Sequence, residues 1–368
     1  MVVLLKNVCE NCLMIQSPKN IILDFERMKY PNTGLYHFCK GLGEALVKES
    51  DPNREILSFY LPKQLNGIFG SSVQYIDQSS LHKLVMPPLK NFSCWHATNQ
   101  TSLYFPKNQK IPIVLTVHDL NFLYDSNKSE KRKKVYQQNL QNKIDRADAV
   151  VTISSFTAKE LEQFVDMGNK KITVIYNGCG IDDALQALAP QTIPSIPFLF
   201  TIGTIAPKKN FHELLNLLIG TNYQLIIAGI TQDEKYKQFI IAEANRLDVA
   251  HQLVFTGAIS ENEKYWYYQH CIAFLFPSLA EGFGLPVIEA MHFGKTVLLS
   301  SVGPLPEIGG SVAHYFSDYT AQAMQETLNN ALAHDELLNR RDTIQLHAKQ
   351  FSWQKAANAY LQLYRTII

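Results

Sequence analysis

The chain alternates short runs of β-branched and apolar residues with longer amphipathic segments, and it does so in two separate blocks. In the first block, strands are predicted at 20–26, 111–117, 148–154 and 171–177, with helices at 33–49 and 155–165. In the second block, strands are predicted at 198–203, 223–229, 252–257, 272–277 and 295–301. Strands that alternate with helices are typical of parallel sheets covered by helices on both faces. The pattern therefore predicts two successive doubly wound, Rossmann-like α/β domains.

A segment at 188–198 separates the two blocks, and it holds three prolines and little charge. Because proline restricts its own backbone and that of the preceding residue, this segment is predicted to be a linker. We therefore expect an N-terminal domain over 1–187 and a C-terminal domain over 188–350. The last stretch, 351–368, contains an amphipathic helix with Ser352 as its N-cap, and this helix can pack back on the N-terminal domain.

The composition excludes several classes of protein. With 368 residues, 46% of them hydrophobic and 18% charged, the chain can bury the cores of two globular domains. Lys plus Arg, 34, nearly equals Asp plus Glu, 33, so no overall charge favours nucleic acid as a partner. Six cysteines are few for a disulfide framework. The Cys9-x-x-Cys12 motif has no second pair with which to complete a zinc site.

The sequence also leads us to expect a cytoplasmic protein. The apolar patch after Met1 has only four residues, which is shorter than the core of a signal peptide. No segment reaches the roughly 20 apolar residues that a membrane span needs. Segment 128–134 carries five cations and one acid. It could rest on an anionic membrane at the inner face of the cell, or it could simply form a solvated helix face.

The stretch "FPSLAEGFGLPVIEAM" at 276–291 is the first candidate for a binding site, because ligands of doubly wound sheets bind beyond the carboxyl ends of the strands. Pro286 suits the first turn of a helix, so Glu289 is expected in that turn, at the positive end of the helix dipole. The glycines of the loop would let backbone N–H groups approach a phosphate. Glu281 and Glu289 could accept hydrogen bonds from sugar hydroxyls, which together suggests a nucleotide sugar. Alternatively, Glu289 only favours the helix start and Glu281 is a surface residue.

Other strand ends carry further candidates. Lys208 and Lys209 follow the strand at 198–203, and two cations there can neutralise a diphosphate, although both could also be solvated surface lysines. His118 directly follows the strand at 111–117, where it could bond a sugar hydroxyl or serve as a hydrogen-bonded core residue. Gly34 precedes a helix whose N-terminus could face a phosphate, or it is a simple turn glycine.

These segments resemble the family-4 retaining glycosyltransferases, which have the GT-B fold of two Rossmann-like domains around a cleft. The resemblance covers roughly residues 20–365, and it rests on "PSLAEGFGLPVIEAM" together with "VLTVHDLNFLY", "IGTIAPKKNFHELL" and "LVFTGAISENE", in the family's order. Many members have an arginine where this chain has Thr204. One subgroup, many of whose members use GDP-mannose, reads Gly-Thr and then Pro-Arg-Lys-Asn. The chain is similar to that subgroup, with Lys208 in the arginine's place.

The resemblance implies transfer of a hexose, with mannose favoured, from GDP-mannose or a UDP-glucose type of donor to a saccharide or lipid-linked saccharide. The pathway implied is synthesis of surface polysaccharide or lipopolysaccharide. The implied catalytic residues are Glu281, His118 and Lys209. The implied donor-binding residues are Gly34, Lys208, Lys209, Ala258, Glu281, Phe283, Gly284, Leu285 and Glu289.

Three other polar residues are considered for the site. Arg27 could reach the cleft, Asp119 is expected to orient its loop, and Glu307 is left out of the site. The chain has no Asp-x-Asp motif, so no metal requirement is predicted. The alternatives are a nucleotide-sugar epimerase or a phosphorylase on the same fold, and a non-catalytic protein that binds a nucleotide sugar.

Overall fold

The structure is a computed structural model that describes residues 17–31, 33–106, 110–125, 128–181 and 186–368. The Cys9-x-x-Cys12 motif lies outside the described residues.

The N-terminal domain is built on a sheet of seven parallel strands in the order β3-β2-β1-β4-β5-β6-β7. The central strands are buried along most of their length, as strands covered on both faces must be. The strands are β1 Lys19–Asp24, β2 Glu55–Leu61, β3 Gln74–Asp77, β4 Cys94–Ala97, β5 Ile113–Val117, β6 Ala149–Thr152 and β7 Ile172–Val174. The helices are α1 Gly34–Glu49, α2 Glu130–Arg146 and α3 Ser155–Phe164.

The C-terminal domain repeats this architecture with six parallel strands in the order β10-β9-β8-β11-β12-β13. The strands are β8 Phe198–Ile202, β9 Gln224–Ala228, β10 Leu253–Gly257, β11 Phe274–Phe276, β12 Val297–Ser300 and β13 His314–Phe316. The helices are α4 Glu234–Arg246, α5 Glu261–His270, α6 Leu285–His292, α7 Leu305–Gly309, α8 Ala321–Leu337 and α9 Arg341–Ala348. The predicted pair of doubly wound domains is confirmed.

The structure differs from the sequence prediction at several elements. β2, β3, β4 and β13 were not predicted; β4, for example, has the sequence Cys-Trp-His-Ala and lacks the β-branched residues that mark a strand. The segment that follows Lys209 and Asn210 forms a 3-10 helix, Phe211–Leu217, rather than an α-helix. It begins from Asn210, which is in the left-handed conformation and provides no side-chain cap for the first turn.

The last helix, α10 Trp353–Ile367, packs against α1 of the N-terminal domain. Its buried Tyr360 is hydrogen-bonded to Thr116 at 2.9 Å, and its buried Tyr364 to Nδ1 of His96 at 2.7 Å. Burial lowers the pKa of His96 to about 3, so the imidazole is neutral and can share hydrogen bonds without a charge. The helix is therefore anchored in the N-terminal domain by polar contacts within an apolar core.

Trp353, at the start of α10, lies directly on Gly178, and this close approach predicts a destabilising substitution. A Cβ atom at Gly178 would lie 2.0 Å from the backbone nitrogen of Trp353. We expect Gly178→Ala to lower the free energy of unfolding by about 1–3 kcal/mol, because the helix start must shift. Gly180→Ala is the matched control, since its Cβ would approach Trp353 no closer than 3.8 Å. Urea denaturation measures both, and equal midpoints for the two variants would contradict the prediction.

Asp24, at the end of β1, predicts a dependence of stability on pH. Burial raises the pKa of this carboxyl to about 7, against the hydrogen bonds from Ser102 and from the amide of Glu26. The folded protein therefore holds a proton that the unfolded chain has already released above pH 4, so stability falls as pH rises from about 4 to about 7. An asparagine at this position cannot ionise. The melting temperature of Asp24→Asn should therefore exceed that of the wild type by several degrees at pH 8 and by much less at pH 4.5. An equal difference at both pH values would refute the assignment.

Candidate functional site

The second sheet has a topological switch point between β8 and β11. From β8 the chain continues outward to β9 and β10, and it then returns to place β11 on the other side of β8. The loops that follow β8 and β11 therefore leave the sheet in opposite directions and open a crevice at its carboxyl edge, where ligands of such sheets bind. The loop after β8 carries Lys208 and Lys209, and the loop after β11 carries Glu281.

Lys209 and Glu281 form an ion pair in this crevice. Nζ of Lys209 lies 2.5 Å from Oε1 of Glu281, and the hydroxyl of Ser278 donates a hydrogen bond of 2.6 Å to the same oxygen. The same hydroxyl lies 3.1 Å from the carbonyl oxygen of Lys208, a second acceptor for its single proton, so Ser278 contacts both loops. The side chains of Lys209 and Glu281 are only 10% and 15% exposed. The structure thus brings two of the predicted catalytic residues into direct contact.

The carboxylate of Glu281 keeps its charge despite its burial. Burial alone would raise the pKa of Glu281, but the ammonium of Lys209 and the hydroxyl of Ser278 outweigh it and lower the pKa. Glu281 is therefore a carboxylate at neutral pH, suited to accept hydrogen bonds rather than to donate a proton. The ammonium of Lys209 also lies over the ring of Phe276, 4.8 Å from its centroid. The exposed Lys208 adds a second, more distant positive charge.

The segment after Glu281 presents backbone amides at the start of α6. Gly284 is the N-cap, with φ at +113°, a conformation that favours glycine. In the described part of the chain, the N–H groups of Phe283, Gly284 and Leu285 donate no hydrogen bond to a protein acceptor. The ring of Phe283 is buried against Phe351, so the contribution of Phe283 to the crevice comes from its backbone. Free amides at a helix N-terminus are a favourable environment for an anion.

Glu289 does not lie where the sequence placed it. It is the fifth residue of α6 and thus in the second turn, so the expectation of a first-turn carboxylate at the dipole end is wrong. The reason is that α6 begins at Leu285, one residue before Pro286, so the first turn ends before Glu289. Glu289 pairs instead with Lys264, 3.1 Å from its Nζ, and accepts a hydrogen bond of 3.0 Å from the hydroxyl of Tyr268.

His118 lies at the end of β5, where the N-terminal domain meets the loop of Glu281. Its Nε2 donates a hydrogen bond of 2.8 Å to the carbonyl oxygen of Thr98, so Nδ1 carries the free lone pair of the neutral ring. Burial lowers the pKa of the imidazole and favours this neutral form. The two domains touch here, because a Cβ atom at Gly282 would lie 2.3 Å from the carbonyl oxygen of His118.

The remaining predicted residues are more scattered. Gly34 begins α1, and there is open space around the position of its missing Cβ. Ala258 is exposed in the loop after β10. Arg27 donates to the hydroxyl of Thr101 at 2.7 Å within its own domain. Asp119 accepts a hydrogen bond from the amide of Asn121, which stabilises the turn after His118. None of the four is hydrogen-bonded to Lys209 or Glu281 among the described residues.

Glu307, which sequence reasoning set aside, joins the two domains. Its two carboxylate oxygens accept hydrogen bonds from the amides of Ser155 and Phe156, at 2.7 and 2.9 Å, in the first turn of α3. The hydroxyl of Ser154, the N-cap of the same helix, donates to the carbonyl oxygen of Gly282 at 3.1 Å. A negative charge at a helix N-terminus is favourable. These contacts place the start of α3 against the loop that carries Glu281.

Sequence reasoning also missed Ser278, Lys264 and Tyr268. A signal for each exists in the sequence: Ser278 precedes Glu281 by three residues in one loop, and Lys264 and Tyr268 are four residues apart and share a face of α5. Their partners could not be read from the sequence, because those partners lie on other elements.

One cluster in the described part of the chain has ligand atoms spaced to hold a metal ion, and it consists of His314, His334 and Asp335. The guanidinium of Arg340 lies 3.0 Å from the same oxygen of Asp335 that both histidines approach. A cation of the protein already balances this carboxylate. None of these residues is hydrogen-bonded to Lys209 or Glu281.

Comparison with known proteins gives two family matches. Residues 81–183 match the model described as Glycosyltransferase Family 4, and residues 191–347 match the model described as Glycosyl transferases group 1. Among individual proteins, the serotype-specific mannosyltransferase WbdA of Escherichia coli is 27% identical over 270 residues, which cover 68% of this chain. The match spans about a third of that relative's length, 33%. The O-antigen chain mannosyltransferase B of Escherichia coli is 25% identical, over 69% of this chain and 70% of its own.

Two solved structures illustrate the similarity of fold. Sucrose-phosphate synthase from Thermosynechococcus elongatus superposes with a TM-score of 0.73 at 18% identity, covering 95% of this chain and 98% of its own. The Anabaena protein HepE, in complex with UDP and glucose, superposes with a TM-score of 0.71 at 17% identity, covering 95% and 100%. At such identities the likeness concerns the fold.

Proposed function

Because the chain belongs to the family-4 glycosyltransferases, with their GT-B fold, we propose that it transfers a hexose from a nucleoside diphosphate to a hydroxyl of a saccharide acceptor, with retention at the anomeric carbon. The observation that carries the proposal is the buried Lys209–Glu281 pair at the switch point of the second sheet, in contact with the end of β5. The pair brings a cation for the diphosphate and a carboxylate for sugar hydroxyls into one crevice.

The diphosphate would lie between Lys209 and the start of α6. Its negative charge would compete with Glu281 for the ammonium, and the amides of Phe283 and Gly284 would donate to its oxygens. Lys208, exposed beside the crevice, would add a second positive charge. These groups would stabilise the charge that develops on the departing diphosphate, which is where electrostatic catalysis contributes most. No metal requirement is part of the proposal.

The donor sugar would lie against Glu281 and His118. Glu281 is ionised, so it would accept hydrogen bonds from sugar hydroxyls and orient the anomeric carbon. The free Nδ1 of the neutral His118 would accept one more hydroxyl. With both groups serving as acceptors, the departing phosphate would take the proton of the attacking hydroxyl on the same face of the sugar. These contacts would hold the anomeric carbon and the attacking hydroxyl in a fixed relative position, and such positioning lowers the barrier to reaction.

We propose mannose ahead of glucose as the sugar, and surface polysaccharide or lipopolysaccharide as the product. The support comes from the mannosyltransferases of Escherichia coli named above and from the segment Gly203-Thr204 to Lys208-Lys209-Asn210, which is similar to that of the GDP-mannose subgroup. The acceptor would enter from the side of the N-terminal domain, whose His118 borders the donor sugar.

The test is a transfer assay with GDP-mannose, UDP-glucose, ADP-glucose and dTDP-glucose against a panel of saccharide acceptors. We expect transfer from GDP-mannose with retention, and a loss of at least about a hundredfold in kcat for Glu281→Gln, since sugar hydroxyls lose a charged acceptor in the transition state. Glu243→Gln is the matched control, because Glu243 also forms an ion pair, with Arg246, but on the outer face of α4.

Two outcomes would contradict the proposal. Near-normal turnover by a folded Glu281→Gln variant would remove the role of that carboxylate. Conversion of the donor to an isomer without any acceptor would indicate an epimerase, and donor binding without turnover across the panel would indicate a binding protein.

We further propose that the start of α2 rests on an anionic membrane while the acceptor is used. Lys131, Arg132 and Lys134 are exposed there beside Val135, whose side chain is 54% exposed, whereas Lys133 is paired with Glu130. Cations with an exposed apolar neighbour favour an anionic lipid surface. In the described part of the chain, no helix has the length and apolarity to cross a bilayer.

Sedimentation with phosphatidylglycerol vesicles tests this contact. We expect Lys131, Arg132 and Lys134 changed together to Gln to lose most binding, at about 1 kcal/mol per cation. The control changes Lys63, Lys159 and Lys171, three exposed cations of the same domain, to Gln. Equal retention of binding by both triple variants would exclude the proposed surface.

A further inference from the structure

Lys264, in the first turn of α5, is a buried cation between two carboxylates. Its Nζ lies 3.0 Å from Oε2 of Glu261 and 3.1 Å from Oε1 of Glu289, and its side chain is only 7% exposed. Lysine is rarely this buried unless it is paired. Burial opposes the charge, but Glu289 and Glu261 outweigh it and raise the pKa of the ammonium, so Lys264 is a cation at neutral pH.

Glu289 is held at both of its oxygens. Lys264 binds Oε1, and the fully buried Tyr268 donates its hydroxyl to Oε2 at 3.0 Å. Lys264 and Tyr268 are one helical turn apart on α5, so a single rigid element fixes the carboxylate. A carboxylate can accept about four hydrogen bonds, so two sites remain on Glu289. The side chain is 12% exposed, so the protein does not enclose it completely.

The group adjoins the other domain. His37 lies in the first turn of α1. Burial is the main cause that lowers the pKa of its imidazole, and the charge of Lys264 lowers it further, whereas Glu289 and Glu261 raise it. The helix that begins at Gly34 therefore lies close to this ion pair.

From this arrangement we propose that Lys264 is a positioning residue for the ribose of the donor. Together with Tyr268 it holds the carboxylate of Glu289 so that the two remaining acceptor sites face the ribose hydroxyls. The inference rests on the proposed function, and it assigns the donor-binding role that the family resemblance implies for Glu289 to the ribose of the nucleotide.

Stability alone does not account for the lysine. Its side chain lies beside the ring of Tyr265, 5.8 Å from the centroid, and one turn from Tyr268, so an apolar side chain could occupy the same position. A buried ion pair is often no more stabilising than apolar residues of similar size. The ammonium does, however, fix Oε1 of Glu289, and with Oε2 bound by Tyr268 the carboxylate keeps one orientation and leaves its other acceptor sites for the ribose hydroxyls.

The test measures how strongly the protein distinguishes ribose from deoxyribose. Calorimetry compares GDP with 2′-deoxy-GDP and 3′-deoxy-GDP, with UDP and its deoxy forms as the second series. For the wild type we expect a preference for the ribose form of about ten- to a hundredfold, as hydrogen bonds to a charged group give. For Lys264→Met the preference should fall below about threefold, and Lys264→Arg should restore it because the cation is kept.

Two controls separate positioning from a general structural effect. Glu261→Gln removes the other carboxylate bound to Lys264 without contact to Glu289, so it should keep the wild-type preference. Glu289→Gln should lose the preference, as Lys264→Met does. Melting temperatures show that each variant is folded, and Tyr268→Phe, which removes one of the two contacts to Glu289, provides a second variant if Lys264→Met does not fold.

The outcomes distinguish the inference from the function on which it rests. If Lys264→Met and Tyr268→Phe keep the preference while Glu289→Gln loses it, the positioning role is wrong and the ribose role of Glu289 stands. If Glu289→Gln also keeps the preference, the ribose assignment itself is wrong, and the inference is overturned with it. Transfer activity of Glu281→Gln, measured separately, tests the proposed function independently of either result.

Discussion

The ion pair between Lys209 and Glu281 is the interaction on which the site depends. Both side chains are largely buried, and each makes the charge of the other tolerable. Without the ammonium, Glu281 would tend to bind a proton and would cease to be a strong acceptor. In the absence of a ligand, the ammonium and the carboxylate bind each other. A diphosphate that takes the ammonium would therefore leave Glu281 free for the hydroxyls of the sugar attached to it, so that the two halves of a donor would be recognised together.

Contacts between the domains hold this pair in place. Gly282 has no side chain, so its loop can lie directly on the carbonyl oxygen of His118, and Glu307 reaches across to the amides that start α3. The C-terminal helix α10 crosses back onto the N-terminal domain and is anchored through Tyr360 and Tyr364. Each contact is small, and each uses a backbone group or a neutral polar atom. The crevice beyond β8 and β11 is thus bordered by the end of β5 in the first sheet.

Much of the site could be predicted from residue types at strand ends. Lys209 and Glu281 stand out because charged residues directly follow apolar runs, and in a doubly wound sheet such positions lie at one edge. The prediction for Glu289 was wrong because a sequence locates a helix start only to within a residue or two. A shift of this size moves the carboxylate out of the first turn, where it would interact with the helix dipole, and into contact with a neighbouring helix. Lys264, Tyr268 and Glu307 were missed because their partners lie on elements that are distant in sequence.

The sequence by itself determined the two doubly wound domains and the chemical groups available at their strand ends, because periodicity and turn residues are local properties. Only the tertiary structure decided which of those groups meet. Lys209 and Glu281 are 72 positions apart and touch because β8 and β11 are neighbours in the sheet, a fact of strand order that no local pattern contains. The same holds for Glu289, whose partner is set by the packing of α5 against α6. Long-range pairing is decided by how whole faces are buried against one another, and a strand or helix pattern does not specify its partner.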